Sequence, residues 1–484
     1  MQKFFPPKAT RLSNTLPLFG PIALGWVEKT PAERSAGRKR ALVAIRGRRG
    51  GYSALEKLIV EGGRPISGEI TPAGNKNEAL PVLAAVLLTD APVTISNVPD
   101  IADIRDMISL LEGLGVSVER IDPHTYRLRA ANLSGHEPEL DIARRIRGSF
   151  LLAGPLLMRQ GAVSMPAPGG DRIGLRRLDT HLLVLERLGA RIEEASRRGF
   201  RFVLPGGRYR GAHIFLDEAS VTATENALMA AVCAKGATVI ENAASEPHVQ
   251  GLCRMLQAMG GKIEGAGTNR LEVEGVDRLS GCEHRIMPDH TEVGSFIGLA
   301  AVTRGELLIR DAGIEHLRMI RLIFSRLGVE TLTEGEHLRV PAGQEMVVKQ
   351  ELGGAVPKID DGPWPAFPSD LTSIATVVAT QCQGTVLVFE KMFENRLFWV
   401  DGLIRMGARV VLCDLHRAIV VGPARLSGSS ITTPDIRAGM ALLIAALCAE
   451  GTSEIQNIHQ IDRGYEAIDQ RLSALGASIH RESM

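Results

Sequence analysis

A helix-like stretch that ends in Leu-Gly or Met-Gly occurs six times along this chain of 484 residues, at intervals of roughly 70 residues. Before each glycine the apolar residues recur with helical period, and a glycine just past a helix suits the left-handed turn that ends it. The six glycines are Gly115, Gly189, Gly260, Gly328, Gly407 and Gly476. This period indicates one structural unit copied along the chain, whose copies must pack on each other to bury their apolar faces.

Each copy also contains an earlier helix that is apolar on nearly all sides, and such a helix must be buried. These helices are predicted at residues 77–88, 149–157, 225–234, 293–302, 373–380 and 438–449. The predicted unit is therefore strand, buried helix, strand, amphipathic helix, strand. Two groups of three units, with the buried helices inside and the sheets outside, are the simplest packing, and they place the chain in the α/β class.

The composition argues against several classes of function. A formal net charge of +1 and 45% hydrophobic residues are typical of a globular chain with no nucleic-acid or membrane partner. The six cysteines form no C-x-x-C pair, which favours reduced, mostly buried thiols in a cytoplasmic protein. Neither the cysteines nor the histidines have metal-ligand spacing, so we expect no metal and no cofactor. The oligomeric state is left open, and a monomer is compatible with the sequence.

Residues 1–54 differ from the rest because they are basic and proline-interrupted, and they include the Arg-rich run "RKRALVAIRGRRGG". A secretory signal would need a cleaner apolar region and a small-residue cleavage site. We expect a disordered arm or an over-extended start of translation, with a targeting segment as the less favoured alternative.

Cations stand at the starts of several buried helices, where they oppose the helix dipole unless an anion lies there. Ordinary helix capping explains the polar residues Asp289, Thr224 and Asp435. Capping does not explain Lys76, Arg147 and Arg437. A helix start with an added Lys or Arg is a clamp for phosphate or carboxylate groups. Together with Arg176, Arg396 and Arg463, these residues predict a cationic cleft for a small substrate with several negative charges.

The stretch "MPAPGGDRIGLRRLDTH", residues 165–181, is a loop with an acid at its tip. Its prolines and glycines exclude regular structure over the first half, and arginines follow Asp171 directly. Taken alone, it would be interpreted as a solvated surface turn. The cationic helix starts elsewhere favour a movable loop that brings Asp171 to an anionic substrate.

These features resemble the UDP-N-acetylglucosamine 1-carboxyvinyltransferase family of enolpyruvyl-transfer enzymes, from about Leu55 to Glu482. The matching stretches are "GNKNEALPVL", "PGGDRIGLRRLDTH", "ASVTATEN", "TVIENAASEPHV", "PAFPSDLTS", "FENRLF", "PDIRAGMALL" and "HQIDRGYEAID". The resemblance implies an inverted α/β barrel with two domains of three units each. Residues 76–287, with the catalytic loop 165–177, would form the first domain, and residues 55–75 and 288–484 the second.

The family's reaction transfers the enolpyruvyl group of phosphoenolpyruvate to the 3′-hydroxyl of UDP-N-acetylglucosamine through addition and elimination, and it begins peptidoglycan synthesis. The resemblance implies that Lys76, Asp171 and Asp370 are catalytic, with Asp370 accepting the hydroxyl proton. It implies contacts to phosphoenolpyruvate and its surroundings from Lys76, Asn77, Arg147, Arg176, Arg396, Arg437 and Arg463. It implies nucleotide contacts from Arg176, Arg177, Leu178, Asp179, Thr180, Glu218, Ala219, Ser220 and Val221, and a further contact from Met392.

Two positions depart from the commonest family pattern. Asp171 stands where cysteine is common, a variant that the family also contains, and His290 replaces a frequent arginine. We expect Asp171 to protonate C3 of phosphoenolpyruvate. Because aspartate lacks the thiolate that epoxides such as fosfomycin alkylate, we also expect resistance to fosfomycin.

Three alternatives predict different residues. An enolpyruvyltransferase acting on another nucleotide would keep Lys76 and Asp370 but change the sugar and uracil contacts. The shikimate-pathway relative would carry a Lys-Ser pair in place of Lys76 and Asn77. A non-catalytic repeat protein would have neutral caps and an exposed apolar face, which the cationic helix starts argue against.

Overall fold

The computed structural model describes residues 56–134, 137–171, 173–196 and 198–484. The predicted disordered arm, residues 1–54, lies outside the described residues, and so does Arg172. No helix in the described part of the chain is long and apolar enough to cross a membrane.

The helices alternate between buried and amphipathic along the chain, as the repeats predict. They are α1 (Lys76–Ala85), α2 (Ala102–Gly113), α3 (Leu140–Ala143), α4 (Ala153–Gln160), α5 (Asp179–Arg187), α6 (Val221–Ala231), α7 (Pro247–Ala258), α8 (His290–Thr303), α9 (Arg318–Arg326), α10 (Thr372–Gln381), α11 (Val400–Arg405), α12 (Ile436–Cys448), α13 (His459–Asp462) and α14 (Ile468–Ala474). Short 3₁₀ helices lie at Val86–Leu88, Arg147–Leu152, Ile314–His316, Leu352–Gly354 and Ser369–Leu371.

The strands are short and follow the helices in a regular order. They are β1 (Glu56–Glu61), β2 (Gly68–Ile70), β3 (Val93–Ser96), β4 (Ser117–Asp122), β5 (Thr125–Arg129), β6 (Ala162–Pro166), β7 (Arg191–Ala195), β8 (Gly199–Val203), β9 (His213–Phe215), β10 (Ala237–Glu241), β11 (Lys262–Glu264), β12 (Arg270–Glu274), β13 (Glu283–Arg285), β14 (Leu307–Ile309), β15 (Leu332–Glu334), β16 (His337–Val340), β17 (Lys358–Asp360), β18 (Gly384–Phe389), β19 (Arg409–Leu412), β20 (Arg417–Gly422), β21 (Ser430–Thr432), β22 (Thr452–Gln456) and β23 (Ser478–Ser483).

The predicted buried helices are confirmed. Helices α1, α6, α8, α10 and α12 are buried on nearly all sides, and α4 continues the buried 3₁₀ helix Arg147–Leu152. Pro155, which lacks an N–H, lies in the first turn of α4, where no intrahelical hydrogen bond is lost. The six predicted C-terminal glycines all have a left-handed φ, between 82° and 105°.

The predicted unit lacked one strand. After most amphipathic helices two strands form a hairpin, as β4 and β5 do, so the typical unit is strand, helix, strand, helix, strand, strand. The second strand escaped notice because exposed charged residues alternate with few apolar ones in such hairpins.

The described strands form sheets of three or four strands around two separate clusters of buried apolar side chains. One cluster draws on residues 79–286, and the other on residues 58–70 and 293–479. The sheets around the first are β13-β3-β5-β4, β6-β8-β7 and β11-β12-β10-β9. Those around the second are β15-β16-β14-β2, β17-β18-β20-β19 and β21-β22-β1-β23.

The chain crosses between the two clusters twice, and the crossings lie side by side. Strand β2 precedes α1 but pairs with β14, while β13 precedes α8 but pairs with β3. The Asn75 N–H donates to the Met287 carbonyl at 2.7 Å, and the Asp289 N–H donates to the Ala73 carbonyl at 2.9 Å. The crossings therefore place the starts of α1 and α8 next to each other, at the edge of a cavity between the clusters.

Candidate active site

The cavity between the two clusters is lined by most of the residues that the sequence predicts for the site. They are Lys76, Asn77, Arg147, Asp171, Arg176, Arg177, Glu218, Ala219, Ser220, Val221, Asp370, Met392 and Arg463. The remaining predicted residues, Leu178, Asp179, Thr180, Arg396 and Arg437, are not part of this lining. The buried helix starts and the loop 165–177 thus converge on one space, as expected from the cations at those starts.

Lys76 and Arg463 share one buried carboxylate, that of Asp103. The Lys76 Nζ lies 3.4 Å from Asp103 Oδ2, and the Arg463 Nε lies 2.9 Å from Asp103 Oδ1. Asp103 belongs to α2 and is only 5% exposed. Since Lys76 and Arg463 come from opposite ends of the chain, this carboxylate joins the two sides of the cavity.

The sequence analysis missed Asp103, although a signal was present. The apolar residues Ile104, Met107 and Leu111 define the buried face of α2, and Asp103 stands at the edge of that face. An acid on the buried face of an amphipathic helix needs a partner, because burying an unpaired charge is costly.

Asp171 reaches the same network from the loop. Its carboxylate accepts a hydrogen bond from Arg463 Nη1, and the same nitrogen donates to Gln460 Oε1 at 2.8 Å. Burial alone would lower the pKa of Arg463, but the carboxylates of Asp103 and Asp171 more than offset this and raise it. Arg463 therefore stays charged and anchors the loop acid across the cavity.

Asp370 is held by two buried arginines. Its carboxylate accepts from Arg396 Nη2 and, at 3.0 Å, from Arg437 Nε. Burial alone would raise the pKa of Asp370, but the charges of Arg437 and Arg396 hold it well below its usual range. Both arginines are under 8% exposed, and Asp370 keeps 28% of its side chain open to the cavity. The arrangement is an ionised carboxylate in a fixed position.

Part of the Arg437 guanidinium forms no hydrogen bond. Neither of its Nη atoms has a hydrogen-bond partner among the described residues, although the guanidinium lies 5.4 Å from the ring centre of Tyr465. A buried guanidinium with free N–H groups is suited to bind an anion that reaches it. The Asp435 carboxylate caps α12 just before it, as predicted.

Arg147 and Arg176 line the cavity near the end of the loop. The Arg147 Nη2 donates to the carbonyls of Arg176 and Arg177 at 3.0 and 2.9 Å. Burial and the nearby Arg176 charge lower the pKa of Arg147 to about 10, and burial also lowers that of Arg176. Two desolvated guanidinium groups so close together favour an anion between them.

The two stretches predicted to hold a nucleotide are tied to each other. Arg177 pairs with Asp179 at 3.2 Å and with Asp217 at 3.4 Å, and the Thr180 hydroxyl donates to Asp217 at 2.7 Å. Asp217 was not predicted. It joins the start of α5 to the segment Glu218–Val221, which lines the cavity.

Two of the three predicted helix caps are confirmed, and one is wrong. The side chains of Asp289 and Asp435 accept from the first backbone N–H groups of α8 and α12. Thr224 lies inside α6, where its hydroxyl donates to the Ser220 carbonyl, and Ser220 is the cap. The run of polar residues in "ASVTATEN" concealed where the helix begins.

A third wall of the cavity carries buried groups that the sequence analysis did not single out for the site. Glu225, Glu246, His248 and Trp364 lie there with His290, whose ring is 6.4 Å from that of His248. Burial lowers the pKa of His248 to about 3 and that of His290 to about 4. Burial raises the pKa of both carboxyl groups, and that of Glu225 is raised further by Glu246. Burial in this part of the cavity therefore disfavours the charged forms of these side chains, in contrast to the arginines of the rest of the lining.

No thiol lines the cavity, and no group of three or more potential metal ligands occurs within the described ranges. Cys233, Cys253 and Cys382 are buried, while Cys413 is exposed, so the expectation of mostly buried thiols is met only in part. Burial raises the pKa of Cys253 and Cys382 to about 12. These thiols are poor nucleophiles.

Residues 60–472 of the chain match the family model of EPSP synthase (3-phosphoshikimate 1-carboxyvinyltransferase). The chain is 56% identical over 425 residues to the UDP-N-acetylglucosamine 1-carboxyvinyltransferase of Bradyrhizobium diazoefficiens, covering 88% of this chain and 98% of that protein. It is 53% identical to the protein of the same name from Treponema denticola, covering 88% and 99% of the two chains.

The fold is similar to that of two solved structures. The enolpyruvyl transferase NikO from Streptomyces tendae superimposes with a TM-score of 0.78 at 23% identity, over 89% of this chain and 100% of that one. EPSP synthase from Acinetobacter baumannii superimposes with a TM-score of 0.69 at 16% identity, over 88% and 100%. The predicted inverted α/β barrel is confirmed.

Proposed function

Because this chain belongs to the UDP-N-acetylglucosamine 1-carboxyvinyltransferase family, we propose that it transfers the enolpyruvyl group of phosphoenolpyruvate to the 3′-hydroxyl of UDP-N-acetylglucosamine and releases phosphate. The observation that carries the proposal is the pair of carboxylates that face one cavity, Asp171 and Asp370, each held by arginine. The reaction needs one group that accepts a proton and another that donates one, with cations around phosphate and carboxylate. In the family, this reaction begins peptidoglycan synthesis.

Asp370 is the proton acceptor. The 3′-hydroxyl adds to C2 of phosphoenolpyruvate, and its proton passes to the Asp370 carboxylate. A carboxylate held by Arg396 and Arg437 is a weak base, because both charges stabilise its ionised form. An anionic substrate can bind the free N–H groups of Arg437 and draw this arginine away from Asp370. The Asp370 carboxylate then becomes a stronger base.

Asp171 is the proton donor. Protonation of C3 accompanies the addition and gives a tetrahedral ketal that still carries phosphate. The Asp171 carboxylate accepts a hydrogen bond from Arg463, so this contact must break before the carboxyl group can turn towards C3. A bound phosphoenolpyruvate anion competes for Arg463 and thereby releases the Asp171 side chain.

Elimination completes the transfer. C3 returns a proton to the Asp171 carboxylate, the bond from C2 to the phosphate oxygen breaks, and phosphate leaves. Lys76, Arg147, Arg176 and Arg463 stabilise the charge on the departing phosphate, since all line the cavity. The uridine nucleotide lies along the Arg176–Thr180 and Glu218–Val221 stretches, with Met392 as a further contact.

We further infer that residues 76–287 form one domain and residues 55–75 with 288–484 a second. The two apolar clusters and the paired crossings support this division. A cytoplasmic location stays a prediction.

Phosphate release from phosphoenolpyruvate, measured with and without UDP-N-acetylglucosamine, tests the proposal. We expect release that depends on the nucleotide, together with a product whose mass exceeds that of the nucleotide by one enolpyruvyl group. Release with a different nucleotide only would favour the alternative acceptor, and release with no acceptor at all would contradict a transfer reaction.

A further inference from the structure

The loop that carries Asp171 is fastened at a second place, on the side away from Arg463. The Ile173 carbonyl accepts from the Asn395 N–H at 3.0 Å, and the Leu175 N–H donates to Glu394 Oε2 at 3.2 Å. Ile173 is only 7% exposed, whereas Leu175 is 78% exposed. The loop tip is thus pressed against a segment of the other cluster by its backbone, with one side chain buried.

The approach is close enough to require a glycine between these two residues. Gly174 has a φ of +150°, and a Cβ atom there would lie 2.3 Å from Glu394 Oε2 and 3.1 Å from the Glu394 nitrogen. Only a residue without a side chain allows the loop and the Glu394 carboxylate this separation. Backbone N–H groups of Glu394 itself and of Leu175 lower the pKa of Glu394, so it is ionised at neutral pH.

The segment that receives the loop continues directly to Arg396, which binds Asp370. The Arg396 guanidinium also lies 5.5 Å from the ring centre of Phe393. Residues 393–396 therefore contact the loop that carries the proposed acid at one end and the proposed base at the other.

We propose that Glu394 is a positioning residue, whose carboxylate holds the Leu175 N–H and thereby keeps Asp171 within the cavity during turnover. This proposal rests on the proposed function. Glu394 makes no contact with the reacting atoms, and it acts through the loop backbone. Loss of the Glu394 carboxylate lets the loop leave the cavity more often. The reaction then slows, because Asp171 is outside the cavity for a larger fraction of the time.

The test measures, in the same variants, turnover and the amide hydrogen exchange of the loop, which is called loop exchange below. We expect Glu394→Ala to lower kcat by about tenfold, since a hydrogen bond to a charged group holds the loop. The KM for UDP-N-acetylglucosamine should change less than about threefold, because Arg177 and Asp217 hold the nucleotide stretches independently. Hydrogen exchange of the peptide spanning residues 165–177, with the nucleotide present, should become faster.

Two further variants separate positioning from folding. Glu394→Gln keeps an acceptor oxygen and should recover most of the lost kcat. Gly174→Ala places a Cβ against Glu394 from the loop side, at a φ that strains alanine, and should lower kcat and speed hydrogen exchange of the loop at least as much as Glu394→Ala. Glu119→Ala, an exposed surface glutamate paired with Arg127, is the matched control and should leave kcat and loop exchange unchanged.

Wild-type kcat or wild-type loop exchange in both Glu394→Ala and Gly174→Ala would overturn the proposal. Faster exchange throughout the chain would also overturn it, because Glu394 would then be a residue of general stability. Loop exchange is read without turnover, so a failure of the proposed function, seen as no phosphate release by the wild-type protein, is distinguishable from a failure of this inference.

Discussion

The carboxylates of Asp171 and Asp370 face the same cavity, but the protein holds them in opposite ways. Asp370 lies in a 3₁₀ turn at the start of a buried helix, between two buried arginines. Asp171 lies on a glycine-rich loop and reaches one arginine of the other cluster. The difference shows how one cavity supplies a group that must stay ionised and another that must gain and lose a proton and move.

The largest effect is expected at the rigid carboxylate. Asp370→Ala should lower turnover by about 10³-fold or more, as for loss of a general base. It should also cost about 3 kcal/mol of unfolding free energy, because it removes the carboxylate with which the buried Arg396 and Arg437 form their salt bridges. Phosphate release and chemical denaturation measure the two losses. Full stability in this variant would mean that the arginines have another partner.

Lys76→Ala is the matched control for that stability loss. Asp103 keeps its pairing with Arg463 when Lys76 is removed, so turnover should fall while the unfolding free energy changes little.

The pH dependence of the unfolding free energy is a second check on Asp370. Since the folded pKa of Asp370 is depressed, its contribution to stability is present above about pH 4 and is lost as the pH falls below. The stability gap between wild type and Asp370→Asn should narrow there.

At the mobile carboxylate, activity and stability should separate. Asp171→Ala should lower turnover by about 10²- to 10⁴-fold, the usual contribution of a general acid. The melting temperature should stay near that of the wild type, because Arg463 keeps Asp103 as its partner. Stopped-flow or coupled phosphate assays and thermal unfolding provide both numbers. Full activity would reduce Asp171 to a surface charge.

Asp171→Cys sharpens the comparison by exchanging one acid for another on the same loop. The variant should stay active and shift its pH optimum upward, because a thiol has the higher pKa and remains protonated to higher pH. It should also become covalently labelled by fosfomycin, whereas the wild type should not, since no thiol lines its cavity. Intact mass measurement after incubation reads the label. Labelling of the wild-type protein within residues 165–177 would contradict the assignment.

Asp103 connects the two arrangements, so its loss should have an intermediate effect. Asp103→Asn keeps the shape of the side chain but removes the charge shared by Lys76 and Arg463. We expect turnover to fall by about 10- to 100-fold, as both cations lose their orientation, with a raised KM for phosphoenolpyruvate. Steady-state kinetics test this. An unchanged KM would indicate that the two cations are held by other contacts.

The last prediction concerns stability rather than turnover, at the part of the cavity that His248 and His290 line. Because the folded pKa values of His248 and His290 lie below the usual value, the unfolded chain takes up protons first as the pH falls below about 6.5. Stability should therefore fall between about pH 6.5 and 4, by about 1.4 kcal/mol per pH unit for each histidine at the steepest. His248→Gln should reduce that slope by one proton, as measured by urea unfolding at pH 7, 6 and 5.

The sequence predicted the parts of this molecule that are periodic. The buried helices and the left-handed turns at Gly115 and its five counterparts follow from apolar spacing, which survives in any copy of the unit. The hairpins after the amphipathic helices could not be predicted, because their strands carry so many exposed charged residues that apolar and polar residues do not alternate clearly. The exchange of β2 and β13 between the clusters has no local signal at all, since it depends on pairing with strands that lie 239 and 189 residues away along the chain.

The residues of the site also fall into those that the sequence could predict and those that it could not. Cations at helix starts, such as Lys76 and Arg437, could be predicted because they conflict with the helix dipole. Asp103 and Asp217 could not be assigned, because an acid acquires its role only from the partners that the fold brings to it. His248 and Glu225 line the cavity because the fold buries them there. The linear sequence shows neither the burial nor the neighbours of these residues.

The pairing of β1 has a consequence for how the chain is made. Strand β1 is translated before everything else in the described structure, yet it lies between β22 and β23, which are translated last. At about 5 to 20 residues per second, its partners leave the ribosome tens of seconds later. Residues 79–286 can collapse in the meantime, but an apolar strand must wait exposed. Release of the finished chain, rather than growth of any one unit, is therefore the event that closes the second cluster.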